Sequence, residues 1–331
     1  MNFYVYGDII KLERLTEKDV KTQFIVHPDE ISKNLIDELV QNNVDCLGIH
    51  PVGGKDAYKT LEDLVLMLKT PEFRTLLDYA KESGLQIEYE LHSIGYLMPK
   101  SLFSTHPEYF RVNKNGERSA DYNFCVSNSK AMEIVCNNAV TLAKSLYNST
   151  PNYYFWIDDG SDVFCSCEKC RNISPSDQTL MVTNAIAAAV RKEIPSAQFA
   201  YLAYMDTISL PTIKKEDGIF LEYAPFSKYT AKGDNAPDLI RQEQLSITPL
   251  ISYFGKDTAK VLEYWFDNSL FSGWKKPPKK FTLNYNQMKQ DVHLYKEQGF
   301  NYISTFGCYL GKDYSDLYGK PDLSPMKNLI K

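Results

Sequence analysis

The chain has 331 residues, 44% hydrophobic and 24% charged, enough to bury a large core. A formal net charge of −5 and a pI near 5.7 exclude the basic surface of a nucleic-acid binder, and no window approaches ~20 uninterrupted apolar residues, so neither nucleic acid nor a membrane is an expected partner. Seven cysteines, with Cys46, Cys125, Cys136 and Cys308 scattered, suit a reducing compartment better than a disulfide scaffold. The segment from Met1 to Asp8 lacks a basic stretch followed by an apolar run. The expected location is therefore cytoplasmic, or secreted if a leader has been trimmed.

Residues 1–21 show no clear periodicity and read as a lead-in to a folded unit over 22–331. From Thr22 onward a unit recurs: a short apolar run, a polar turn, then apolar residues at helical spacing. The runs are Gln23–His27, Asp45–His50, Leu85–His92, Tyr153–Asp159, Gln198–Tyr204, Ile219–Ala224, Lys260–Asp267 and Asn301–Cys308. Helical patterns fall at Glu30–Gln41, Thr60–Lys69, Glu72–Ser83, Lys130–Tyr147, Thr179–Glu193, Asp238–Phe254 and Tyr285–Gln298, with Gly84 a natural stop for the third. Eight β-then-α units at this length predict an α/β fold. The expected form is a single-domain (β/α)8 TIM barrel with a long loop after strand three and a cysteine-rich loop after strand four. A doubly wound open sheet is the main structural rival.

In a barrel, alternate strand residues face the helices or the lumen, and the C-terminal strand ends hold the active site. Within Leu85–His92, the apolar face of Leu85, Ile87, Tyr89 and Leu91 sends Glu88, Glu90 and His92 inward. The same reading sends Tyr154, Trp156 and Asp158 inward on strand four, Glu222 on strand six, and Glu263, Trp265 and Asp267 on strand seven. Buried carboxylates are costly unless paired, so their convergence implies an acid/base site or a buried ion-pair network. Basic partners are scarce on these strands, which favours the site.

Asp158 and Asp159 end the fourth strand. Two carboxylates that close repel, so one keeps its proton and can act as an acid, although Asp-Asp-Gly is also an ordinary turn sequence. His50, Glu90, His92, Tyr204 and Glu222 are candidate substrate contacts, while Asp267 and Trp265 offer a carboxylate and a stacking ring for the opposite wall of a sugar site. Cys165, Cys167 and Cys170 form Cys-x-Cys-x-x-Cys, a spacing whose thiolates can share a structural zinc with Cys125 as fourth ligand. A disulfide in an exported protein is the competing reading. No catalytic cofactor is expected: there is no phosphate-binding Gly-rich loop, no Gly-x-Ser-x-Gly elbow, and no His-x-His pair after the first strand.

Leu91-His92, Thr105 to Phe110, Asn115 to Arg118, Phe124 to Asn128, Asp159-Gly160, the clustered cysteines, Ser176-Asp177, Asn184 and Leu202 to Tyr204 occur in that order. Together they resemble a family of uncharacterised bacterial proteins related to glycoside hydrolases, the domain of unknown function 4838. The resemblance implies a catalytic barrel akin to α-glucuronidases and β-hexosaminidases. The Asp-Asp pair is also similar to that of O-GlcNAcase-type hexosaminidases, which implies that Asp158 orients the substrate's acetamido group and Asp159 is the general acid/base. The expected function is then hydrolysis of N-acetylhexosamine-containing glycans by substrate-assisted, retaining cleavage. Two alternatives stand beside it. One is a conventional two-carboxylate glycosidase, glucuronidase-like forms included, with Asp159 as acid and Asp267, Glu222 or Glu90 as partner; the other is a non-catalytic carbohydrate-binding barrel. A carbohydrate is the partner in all three.

Overall fold

The computed structural model describes residues 20–328. The expected lead-in lies outside the described residues apart from Val20 and Lys21, and Lys21 already opens the first strand. In chain order the strands are β1 (Lys21–Val26), β2 (Cys46–Ile49), β3 (Gln86–His92), β4 (Phe110–Val112), β5 (Arg118–Phe124), β6 (Asn152–Trp156), β7 (Gln198–Ala203), β8 (Ile219–Tyr223), β9 (Lys260–Glu263) and β10 (Tyr302–Phe306). Eight of them run parallel and close in the order β1-β2-β3-β6-β7-β8-β9-β10. The closing pair, β1 with β10, runs from Lys21 beside Tyr302 to Ile25 beside Phe306, which excludes an open sheet. The protein is a (β/α)8 barrel. Strands β4 and β5 form an antiparallel hairpin inside the long loop after β3.

Helices form where apolar residues recur on one face and the ends are capped. Lys33–Gln41 buries Leu35, Ile36 and Leu39 and starts at Ser32, whose hydroxyl accepts from the Leu35 N–H at 3.3 Å. Pro71–Glu82 starts at Thr70 with proline in its first position, where the missing N–H is not needed. Tyr285–Gln298 stops at Gly299, whose φ of 91° is a left-handed conformation that glycine adopts without penalty. Among the described residues no helix is long and apolar enough to cross a membrane.

The lower lumen is organised by a cation. Lys260 is fully buried, with Nζ 2.5 Å from Glu90 Oε1 and 2.9 Å from Glu222 Oε1, and it lies 4.0 Å from the centroid of the Tyr154 ring. Glu88, one layer lower, accepts from the hydroxyls of Tyr154 (2.6 Å), Tyr302 (2.8 Å) and Thr150 (2.8 Å). Burial pushes Glu88 up, but the Lys260 and Lys21 charges and the phenol hydrogen bonds outweigh it and hold the carboxyl below its ordinary value. Above this layer the inner wall is apolar and aromatic, with Ile25, Trp156, Leu202, Leu262, Tyr264 and Phe306.

The inner face of β9 is the reverse of the expected one. Lys260 points inward, so Leu262 follows it and Glu263 faces the helices, where Lys228 Nζ (2.5 Å), Tyr229 Oη (2.8 Å) and Tyr295 Oη bond to it. Trp265 is outside as well, its indole N–H donating to Asp291 of the helix Tyr285–Gln298 at 2.8 Å. The expectation failed because it assumed that an apolar face must meet helices, whereas a barrel lumen is apolar too.

Removing one partner of a buried ion pair leaves an uncompensated charge, so Lys260→Met should destabilise the protein by about 3–5 kcal/mol. Urea unfolding measures this, and a loss below about 1 kcal/mol, the worth of an exposed pair, would contradict the assignment.

Candidate active site

The C-terminal strand ends open into a cleft of about 360 Å³. Its first wall is a row of three histidines: His27 follows β1, His50 follows β2, and His92 ends β3. Each Nδ1 bonds to a backbone carbonyl farther round the barrel: His27 to His50 O (2.8 Å), His50 to Glu90 O (2.7 Å) and His92 to Ile157 O (2.7 Å). A carbonyl only accepts, so Nδ1 carries the proton, and a neutral ring then presents Nε2 as an acceptor. Burial lowers His27, and lowers His50 much further with help from the neighbouring His92 and His27. Both therefore stay neutral at ordinary pH.

Two carboxylates line the same cleft. Asp159 follows β6 and is half-buried; Tyr204 Oη lies 3.5 Å from its Oδ1. Gly53 packs against this corner, where a Cβ would stand 3.1 Å from the His92 ring and 3.5 Å from Asp159 Oδ2, so a side chain there would crowd the ring. Asp267 follows β9, three strands farther round. Its Oδ1 accepts from Ser269 Oγ (2.5 Å), Ser269 N (3.0 Å) and Leu270 N (3.3 Å), which fixes the carboxyl in one orientation. Burial raises the Asp267 pKa against those hydrogen bonds. Tyr264 lines the same cleft: burial, Tyr204, and the charges of Asp159 and Asp267 hold its phenol well above the ordinary value. Trp156 and Tyr309 line the cleft, and Trp274, 63% exposed, stands at its mouth.

The remaining sequence candidates are placed elsewhere. Asp158 turns away from the cleft: its N–H donates to Asn123 Oδ1 (2.9 Å), its Oδ1 accepts from Gly95 N (3.0 Å), and its buried Oδ2 has no partner among the described residues. Strand β6 ends at Trp156, and Asn123 of the hairpin redirects the chain before the strand's alternation can carry Asp158 inward. Asp158 and Asp159 therefore do not share one cleft. Glu90 and Glu222 lie beneath it, held by Lys260, and the Trp156 indole N–H donates to Glu222 at 2.7 Å. Trp265 is on the outer face. His50, His92, Tyr204 and Asp267 do line the cleft.

Sequence reasoning missed His27, Tyr264, Ser269 and Trp274. His27 carried a usable signal, because it ends its apolar run as His50 and His92 end theirs. The four cysteines Cys125, Cys165, Cys167 and Cys170 gather beside the rim, outside the cleft, with their sulfurs within 4.8 Å of one another.

The fold and this mouth define a (β/α)8 barrel with two carboxylates in one cleft. A family model described as a domain of unknown function (DUF4838) matches residues 67–305, and the chain belongs to that family. No curated protein matches it. Among solved structures, a β-N-acetylhexosaminidase from Bacteroides fragilis is similar with a TM-score of 0.57 at 12% identity, over 95% of this chain and 66% of that one. The chain thus spans just under two thirds of that protein's length. Endo-glycoceramidase II from Rhodococcus sp. is similar with a TM-score of 0.55 at 10% identity, over 95% of this chain and 78% of that one. At such identities the likeness is one of fold.

Glu30 supports the His27 wall from behind, accepting from His27 N and Gly311 N, both at 3.2 Å. Burial raises its pKa from 4.5 to about 7. A carboxyl that holds its proton more tightly when folded loses stability as pH rises, here from about 4.5 to 7, by roughly 3 kcal/mol in all. Glu30→Gln should flatten that slope in denaturation curves taken between pH 4 and 8; an unchanged slope would contradict the assignment.

Proposed function

We propose that the protein is a glycoside hydrolase in which Asp159 and Asp267 act as the two carboxylates of a conventional mechanism. One observation carries this reading: these two acids line one cleft from barrel strands four and seven, whereas Asp158, Glu90 and Glu222 are engaged outside it. Asp159 protonates the departing glycosidic oxygen, with the Tyr204 hydroxyl beside it. Asp267, clamped through Oδ1, offers Oδ2 to the anomeric carbon or to the water that attacks it. The Nε2 atoms of His27 and His50 accept hydrogen bonds from sugar hydroxyls, and Trp156 and Trp274 supply flat faces for the ring.

Substrate-assisted cleavage of an N-acetylhexosaminide needs Asp158 beside Asp159 at the substrate. The turn of Asp158 toward Gly95 favours the two-carboxylate route instead. That route does not depend on an acetamido group.

Chromogenic glycosides tested in pairs, with and without a 2-acetamido group, distinguish these mechanisms. Turnover is expected on sugars that lack the group. Asp159→Asn should lower kcat by roughly 10²–10⁴-fold on poor leaving groups, and far less on a dinitrophenyl leaving group that departs without a proton. Turnover confined to 2-acetamido sugars would contradict the two-carboxylate route. Carbohydrate binding without any turnover by the wild type would contradict hydrolysis itself.

A further inference from the structure

We propose that Cys125, Cys165, Cys167 and Cys170 bind one zinc ion that clamps the long loop after β3 to the loop after β6, next to Asp159. The proposal does not rest on the hydrolase reading. Four thiols approach one another from two loops more than 35 residues apart, and all seven cysteines of the chain are free. The Cys125 sulfur lies 3.7 Å from that of Cys167 and 3.9 Å from that of Cys170. A disulfide needs ~2.05 Å between sulfurs, so no bond joins these pairs. Tetrahedral zinc with Zn–S near 2.3 Å sets neighbouring sulfurs about 3.8 Å apart, and the two measured separations bracket that value.

The surroundings are arranged for thiolates. Val112 N donates to Cys165 Sγ at 3.4 Å, and Ser127 Oγ stands 2.9 Å from Cys170 Sγ, where its proton can be given to the sulfur. On binding, the four thiols release their protons to solvent, and the tetrathiolate complex is left with a net negative charge that these donors help to carry. Three of the four residues are buried, which keeps solvent from the ligands. Four protein ligands fill the tetrahedron, so the ion has no open position for substrate and its role is positional.

The clamp lies beside the acidic rim. Arg111 of β4 pairs with Asp121 (2.6 Å) and donates to the carbonyl of Asp162 (2.9 Å), while Asn123 donates to Val163 O (3.2 Å) and accepts from Asp158 N (2.9 Å). Cys125 immediately follows this hairpin, and Cys165 lies six residues beyond Asp159. Joining them through one metal closes the loop that carries both aspartates onto the hairpin that directs Asp158 outward.

Elemental analysis of the full chain, purified without chelator from zinc-supplemented cells, should give one zinc per chain. The same measurement should give none for the Cys165→Ser/Cys170→Ser variant and an unchanged value for Cys136→Ser, whose thiol lies outside the cluster. Should the double variant fail to fold, wild type reconstituted with Co2+ gives an independent reading, because four thiolates produce sulfur-to-cobalt charge transfer in the near ultraviolet and intense tetrahedral bands in the visible. Removing the metal should lower the melting temperature, and adding zinc should restore it. Metal-free wild type, bound iron in place of zinc, or a disulfide among the four cysteines by intact-mass analysis would each overturn the proposal.

Discussion

Beneath the cleft, the buried ammonium of Lys260 bridges Glu90 of β3 and Glu222 of β8, two strands separated by β6 and β7. Much of the mouth hangs from this contact. Glu222 receives the Trp156 indole N–H that sets the cleft floor, and the Glu90 carbonyl receives His50 Nδ1. Burial pushes both Glu90 and Glu222 up, with Lys260 only partly offsetting it, whereas Lys260 is held charged by the carboxylates around it. An ion pair this deep contributes little net stability over an apolar core. It holds Glu90 of β3, Glu222 of β8 and Lys260 of β9 against one another directly beneath the cleft.

The barrel was legible because its signal is local. Each apolar run and each helical stripe can be read within a dozen residues, and all eight strands lie where those runs lie. The facing of β9 was not legible, because it depends on partners elsewhere in the chain: Glu263 finds Lys228 and Tyr295 on the outer layer, and Lys260 finds Glu90 from 170 residues away. Counting alternation from Lys260 would have given the right face. Asp267 reaches the cleft all the same, because the chain turns after β9, with Asp267 N bonded to Tyr264 O at 3.1 Å, and no longer follows strand parity.

Asp158 and Asp159 teach a similar lesson at shorter range. Adjacent acids at a strand end look like a pair, and their separation is decided by Asn123, 35 residues earlier, and by the Gly95 amide, 63 residues earlier. The cysteine cluster was easier to foresee, since three of its thiols lie within six residues and the fourth lies in the loop that precedes them. Trp274 carried its own local hint, an aromatic residue between Gly273 and a lysine- and proline-rich stretch, where packing gives a large ring little reason to exist.

The proposed two-carboxylate mechanism makes Asp159 and Asp267 the working acids and leaves Asp158 outside the chemistry. Steady-state kinetics of Asp158→Asn and Asp267→Asn on one glycoside cleaved by the wild type test it most directly. Asp267→Asn is expected to lose at least about a hundredfold in kcat, while Asp158→Asn stays within roughly tenfold of wild type. The reverse pattern, with Asp158→Asn inactive and Asp267→Asn nearly normal, would contradict it.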